Sequence, residues 1–394
     1  MADRIYMDNA ATSFPKPPAV LQAMTHYATQ LGASPGRGAY REAREAGRLM
    51  QQCRSRINTL IHGESDDHVI FTLNTTDALN IAIKGLVRAG DHVITTWLDH
   101  NSILRPFNMM VEIDGVEQTR VACDSVTGLV DPADIRSAIR PNTRLIATLH
   151  GSNVTGTLQP IRAIGRVARD AGVLLLVDAA QSLGHVPLDV REDNIDLLAA
   201  PGHKGLLGPL GTGFLYIRPG LEKQMRTIRE GGTGSVSERD TQPDFMPDRF
   251  EPGSHNAIGI IGLSEGVQYI LDRGVDDIWR HDQELTAAML DGLARHAMPN
   301  LTLFGPQTTR DRCSVFSIRI AGYDHPQSLS DVLEERFGVL TRSGIHCAPL
   351  AHKTIGTHSL AGTTRLSFGP FLTVDDVQTA CNALAEVAAQ HAVV

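Results

Sequence analysis

Residues 173–181 read Val-Leu-Leu-Leu-Val-Asp-Ala-Ala-Gln. Five consecutive apolar residues, Val173 to Val177, leave no polar face. Such a run suits a strand covered on both sides, the habit of parallel sheets. Asp178 falls where that strand ends, and in open α/β sheets the ligand crevice lies outside the carboxyl ends of the strands. Working outward, short apolar runs predict strands over 69–73, 92–96, 116–122, 144–149, 195–199 and 213–217. Amphipathic stretches between them predict helices over 75–87, 102–113, 132–139 and 161–171, the last closed by Gly172. Strand and helix in alternation argue for an α/β fold, a mostly parallel sheet with helices on both faces.

Residues 231–256 break the pattern. They are rich in Gly, Pro, Ser and Asp and predict a long irregular segment; long loops in compact domains are usually functional. Beyond them, a helical stretch over 258–295, a strand over 314–320 and a helix over 328–337 are expected. A loop over 342–358, a strand over 364–367 and a final helix from Val374 complete the chain. This reads as a smaller α+β domain. The expected division is a large domain over 18–256 and a small one over 1–17 with 257–394.

With 394 residues, 42% hydrophobic and 20% charged, the chain can bury a core unaided, and disorder as its main state is excluded. A net charge of −8 argues against a dedicated nucleic-acid binder, which needs a basic face. No run approaches the ~20 apolar residues of a membrane span. The opening Met-Ala-Asp-Arg-Ile-Tyr lacks the apolar core of a signal peptide. Cys53, Cys123, Cys313, Cys347 and Cys381 are odd in number and widely spaced. A reducing, cytoplasmic setting is expected, without a disulfide framework or a metal site.

Arginine outnumbers lysine heavily: of 36 basic residues only Lys16, Lys84, Lys204, Lys223 and Lys353 are lysine. Lysine can shed its proton and form a Schiff base; arginine cannot. Lys204 lies in Pro201-Gly-His-Lys-Gly-Leu-Leu-Gly-Pro-Leu-Gly-Thr-Gly213, where glycines permit tight turns and close approach of backbone to a ligand. It reads as a desolvated nucleophilic amine or as an exposed lysine on a plain turn. Asp178 reads as the partner of a cationic ring nitrogen or as a helix cap. Asn74-Thr-Thr-Asp77, between a strand and a helix, reads as a phosphate site or as an N-cap by Thr75 or Thr76. Arg342-Ser-Gly-Ile-His-Cys-Ala-Pro349 presents Cys347 beside His346 in positive surroundings that favour a thiolate; the alternative is a small buried hydrophobe. The order of phosphate turn, strand-end acid and lysine turn within one α/β domain points to pyridoxal 5'-phosphate, a phosphorylated carbonyl cofactor.

From Tyr6-Met-Asp-Asn-Ala-Ala-Thr12 to Gly362-Thr-Thr-Arg-Leu-Ser-Phe-Gly369, the chain resembles the class V aminotransferase family, within it the cysteine desulfurase and selenocysteine lyase branch. The resemblance implies the fold type I of pyridoxal-phosphate enzymes. It implies that Lys204 bonds the cofactor, Asp178 pairs with its ring nitrogen, and Asn153 and Gln181 contact its phenolic oxygen. His100 would stack on the ring and shuttle protons, and Thr75, Thr76 and His203 would bind phosphate. Ser254 would reach the phosphate of a neighbouring subunit, implying a homodimer with shared active sites. Arg365 would clamp the substrate carboxylate, with Arg342 and Asn9 also binding substrate. Cys347 would accept sulfur from L-cysteine as a persulfide, to be passed to an acceptor protein. A selenocysteine lyase, β-lyase, transaminase or epimerase on the same fold is the alternative, since fold does not fix reaction. Two stretches depart from the family pattern. Pro201 stands where the family carries a hydroxyl, and the run 348–357 differs from the best-studied desulfurases.

Overall fold

The computed structural model describes residues 4–36, 38–233 and 235–390. A short strand, β1 (Ile5–Tyr6), opens it. The central sheet takes β2 (Val69–Thr72), β3 (His92–Thr96), β4 (Glu117–Val121), β5 (Thr143–Leu149), β6 (Leu174–Asp178), β7 (Leu197–Pro201) and β8 (Gly213–Ile217). Its strand order is β2-β8-β7-β6-β5-β3-β4. The run β7-β6-β5-β3-β4 is parallel throughout, and β8 lies antiparallel to both β7 and β2. β7 and β8 are buried along their whole length, and edge strand β4 is only partly covered. The expected α/β fold with a mostly parallel sheet is thus the observed one.

Two apolar layers sandwich the sheet. One is built on the helix Arg41–Leu60, whose Ala43, Ala46, Met50, Cys53, Ile57 and Leu60 recur every three or four residues and face inward. That stripe packs against the helix Ala257–Arg273. No element was expected over 41–60, because arginines and glutamines on its wet face lower its average hydrophobicity and hide the stripe.

A second sheet follows, built from β9 (Leu301–Phe304), β10 (Val315–Ile320), β12 (Arg342–Gly344) and β13 (Thr363–Ser367), with β11 (Val339–Leu340) pairing β1 instead. All pairings in the four-stranded sheet are antiparallel, and Arg365 in β13 sits between Ser317 and Arg342. Helices Val275–His296, Pro326–Phe337 and Val374–Ala389 close its core.

Three expectations need correction. The single helical stretch over 258–295 is two helices, because Gly274 takes a φ of +85° that ends one and starts the next. The loop over 342–358 contains β12 and a short helix, Pro349–Thr354, with proline in its first turn where a missing N–H costs nothing. Strands β1, β9 and β11 were not foreseen; they are short, and only Val339 among their residues is fully buried.

Candidate active site

The carboxyl ends of β2, β3, β5, β6 and β7 open on one cleft of about 530 Å³. It is lined by Thr75, Thr76, His100, Asn153, Asp178, Gln181, His203 and Lys204. The eight come from the connections that follow five strand ends, three leading to helices and two to the next strand. A parallel sheet gathers such connections at one edge, which is why residues more than a hundred positions apart meet there.

Asp178, the last residue of β6, is buried. One carboxylate oxygen accepts from the Ala180 N–H at 2.9 Å. Burial pushes its carboxyl up to about 6, against the pull of that N–H and of the Lys204 ammonium. Lys204 follows the end of β7. Burial drops its amine to about 8, opposed by Asp178 and assisted by Arg365 and Arg342. The turn that carries it is too tight for side chains: a Cβ on Gly202 would meet Thr212 Oγ1 at 2.1 Å, and one on Gly205 the Leu183 carbonyl at 2.3 Å. The reading of Lys204 as an exposed lysine on a plain turn is therefore wrong.

At another wall of the cleft, helix Thr75–Leu86 is capped by Asn74, whose side chain accepts from the Asp77 N–H at 3.0 Å. Neither Thr75 nor Thr76 is the cap, so both hydroxyls are spared that duty. Thr75 Oγ1 and His203 Nδ1 are buried with no partner among the described residues. Burial, with Lys204 and Lys16 nearby, lowers the His203 imidazole to about 4, so the ring is neutral. Unpaired polar atoms of this kind are costly unless a ligand completes them.

His100 caps the helix Asn101–Asp114. Burial and the cations Lys204, Arg105, Arg342 and Arg365 lower its imidazole to about 4. Its neighbour Asp99 is fully buried and bridges two strand ends, accepting from the Thr96 N–H at 2.6 Å and the Leu149 N–H at 2.8 Å. Gln181 donates its amide to the Ala10 carbonyl at 3.1 Å.

Cys347 stands apart from the buried cleft but is tied to it. It is exposed, whereas Cys53, Cys313 and Cys381 are buried and Cys123 half-buried. Burial pushes the thiols of Cys53, Cys123 and Cys313 up to about 12 and that of Cys381 to about 11. His346 and Cys347 take φ of +50° and +59°, two consecutive non-glycine residues in left-handed backbone. Three bonds hold that turn. Asn153 Nδ2 donates to the His346 carbonyl at 2.6 Å, the Asn101 N–H to the Cys347 carbonyl at 2.9 Å, and the Ala348 N–H to the Ile345 carbonyl at 3.0 Å.

Arg365 is 1% exposed, pairs with Asp8 at 2.8 Å and donates to the Asn153 carbonyl at 3.2 Å; its Nε is buried without a partner. Arg342 is exposed and lies opposite it across β12 and β13. Asn9 is less available than expected. Its amide nitrogen donates to the Tyr6 and Ser367 carbonyls, its oxygen accepts from the Phe14 N–H, and it borders a smaller cavity shared with Gln181 and Lys204. Ser254 does not join the cleft. It lines a separate cavity of about 540 Å³ with Phe71, Arg229 and Glu251.

Sequence reasoning missed Ser102, Asp8 and Asp99. Ser102 lines the cleft and touches both Thr76 and His100. Its place two residues after His100, at a helix start, is the signal that could have found it. Asp8 could not have been paired with Arg365 without the fold. No cluster of three or more metal-ligating side chains occurs among the described residues. No helix among them is long and apolar enough to cross a membrane.

Comparison with known proteins gives the family and the fold. The family model of the class-V aminotransferases matches residues 5–379. A probable cysteine desulfurase of Methanothermobacter thermautotrophicus is 36% identical over 98% of this chain and 96% of its own. Among solved structures, the apo cysteine desulfurase of Thermococcus onnurineus NA1 superposes with a TM-score of 0.90 at 31% identity, over 98% of this chain and 95% of that one. The Escherichia coli cysteine desulfurase CsdA gives 0.86 at 27% identity, with the same coverage.

Proposed function

The chain belongs to the class-V aminotransferase family, and from that premise we propose that it is a pyridoxal-phosphate-dependent cysteine desulfurase, converting L-cysteine to L-alanine with transfer of sulfur to Cys347. The observation that carries this reading is the link between the two reactive regions. Cys347, the exposed cysteine, stands on a turn whose backbone is bonded to Asn153, a residue of the lysine cleft.

The residues present fit the cofactor. Thr75 Oγ1 and His203 Nδ1, buried and unpartnered, with Thr76, would hold its phosphate. Asp178 would face its ring nitrogen, Asn153 and Gln181 its phenolic oxygen, and Lys204 its carbonyl carbon. When bound, pyridoxal phosphate supplies an electron sink for a carbanion at the substrate Cα.

The chain's own groups do the rest. Arg365 would bind the substrate carboxylate, a bidentate task for which a guanidinium is shaped, with Arg342 and Asn9 bordering the approach. Lys204, its amine lowered to about 8, would take the Cα proton. Cys347 would attack the substrate sulfur as a thiolate, the neutral thiol being a poor nucleophile. The balance is cysteine plus a Cys347 thiol giving alanine plus a Cys347 persulfide. The sulfur would then pass to an acceptor protein. A homodimer in which Ser254 serves the neighbouring subunit's phosphate belongs to the same proposal. So does the division into a large unit over 18–256 and a small one over 1–17 with 257–394, and a cytoplasmic setting.

The test is alanine release from L-cysteine by cofactor-loaded protein and by Cys347→Ala. Alanine from the wild type and little from the variant supports the assignment. Full turnover by the variant sinks it, and turnover of another amino acid or a keto acid in place of cysteine would move the chain to a different reaction on this fold.

A further inference from the structure

We infer that Ser102 is a positioning residue: it fixes His100 as a hydrogen-bond donor through Nε2 and ties that ring to Thr76 of the helix Thr75–Leu86. The inference deepens the proposed function and rests on that reading for its catalytic meaning, but its structural basis stands in the chain alone.

Three contacts carry it. The backbone N–H of Ser102 donates to His100 Nδ1 at 3.1 Å. The Ser102 hydroxyl lies 2.9 Å from the same nitrogen. The Thr76 hydroxyl lies 2.8 Å from the Ser102 hydroxyl. A backbone N–H can only donate, so Nδ1 must present a lone pair. In a neutral imidazole the proton then sits on Nε2. Because Nδ1 accepts, the Ser102 hydroxyl must donate to it, and its oxygen is left to accept from Thr76. The chain therefore runs one way, from Thr76 through Ser102 to His100.

Ser102 is 8% exposed, so these bonds are shielded from competing water. His100 Nε2 finds no partner among the described residues, and the ring borders the cleft. The groups that act on the ring are Lys204, Arg105, Arg342 and Arg365, all cationic, and together with burial they hold it neutral.

The consequence is a division of labour. A neutral ring whose only basic nitrogen already accepts two hydrogen bonds cannot take the substrate Cα proton. That task falls to Lys204 alone, and His100 serves as a donor aimed into the cleft. The expectation that His100 shuttles protons is narrowed accordingly.

The experiment is nitrogen NMR on the full chain labelled with 15N-histidine, with and without pyridoxal phosphate. The His100 signals are identified by their loss in His100→Gln. The wild type should show Nδ1 unprotonated and Nε2 protonated at neutral pH. Ser102→Ala removes one of two donors to Nδ1 and should raise the His100 titration point by about half to one pH unit, one hydrogen bond's worth. Ser102→Thr should restore it. Thr76→Val, which keeps the hydroxyl bond to Nδ1, should leave the titration point where it was; a merely structural role for Ser102 would move both or neither. A proton on Nδ1 in the wild type, or an unchanged titration point in Ser102→Ala, overturns the inference. Failure of the cofactor reading shows separately, as no retained cofactor absorbance after dialysis, and leaves the result on the bare chain standing.

Discussion

Lys204 and Cys347 make an instructive pair. Lys204 is half-buried on a turn so crowded that glycine flanks it, and desolvation has stripped its amine of part of its basicity. Cys347 is exposed, on a turn held in left-handed backbone by hydrogen bonds from other segments. The difference fits what each group is proposed to do. An amine becomes a nucleophile and a base by losing water, so it belongs inside. A thiol that receives a sulfur atom and hands it on must be reached from outside, so its position is set by backbone and not by packing. The other cysteines show the alternative: burial raises their thiols to about 11 or 12, where thiolate is scarce.

The largest effect that can test this contrast is expected at Lys204. Lys204→Ala should lose both cofactor retention and turnover, the proton-transfer share alone being worth on the order of 10²- to 10⁴-fold. Cys347→Ala should retain the cofactor and lose persulfide. Gel filtration followed by the cofactor's absorbance, and alanine release, separate the two. Equal cofactor loss in both variants would erase the distinction between the regions.

A second test uses pH. With its amine lowered from 10.5 to about 8, Lys204 is charged below that point and neutral above it. The rate at which cofactor-free protein captures pyridoxal phosphate should therefore rise about tenfold per pH unit up to about 8 and then level off. A lysine in water would go on gaining neutral amine to about 10. Stopped-flow absorbance on cofactor-free protein reads this directly, and a rate still climbing steeply past about pH 9 would mean that the amine is not desolvated.

How much of this was legible beforehand follows the same contrast. The cleft side was readable because its signals are local: an apolar run ending in Asp178, glycines around Lys204, hydroxyls at a helix start. Strand and helix alternation then placed those signals at one edge of the sheet. What connects the regions was not readable. The Asn153 bond to His346 and the Arg365 pair with Asp8 join segments far apart in sequence, and no composition or spacing carries them. The Arg41–Leu60 helix was hidden for another reason: its stripe is narrow and its wet face is strongly polar. Ser254 matched a family position, and in its own chain it lines a separate cavity away from the cleft.

The smallest effect is expected at Asn153, and it bears most directly on how the two regions are joined. Left-handed backbone costs an L-residue about 1–2 kcal/mol, and His346 and Cys347 adopt it in succession. The turn persists because its carbonyls are bonded: His346 to Asn153, Cys347 to the Asn101 N–H. The His346 ring adds a bond from Nε2 to the Thr363 carbonyl at 3.1 Å. Asn153→Ala removes one of these bonds, worth about 1 kcal/mol net, and should increase opening of the turn about fivefold. Hydrogen exchange of the amides over 345–348, measured on cofactor-free protein, reads that opening without reference to catalysis. The amides around Lys204 should be unaffected, because their turn is held by close packing and by the Gly202 N–H bond to Thr212. Unchanged exchange at 345–348 would mean that the Cys347 turn holds its shape without the cleft, and Asn153 would then be a cofactor contact only. Faster exchange there and nowhere else would make Asn153 the joint through which the lysine side of the site fixes the position of the thiol.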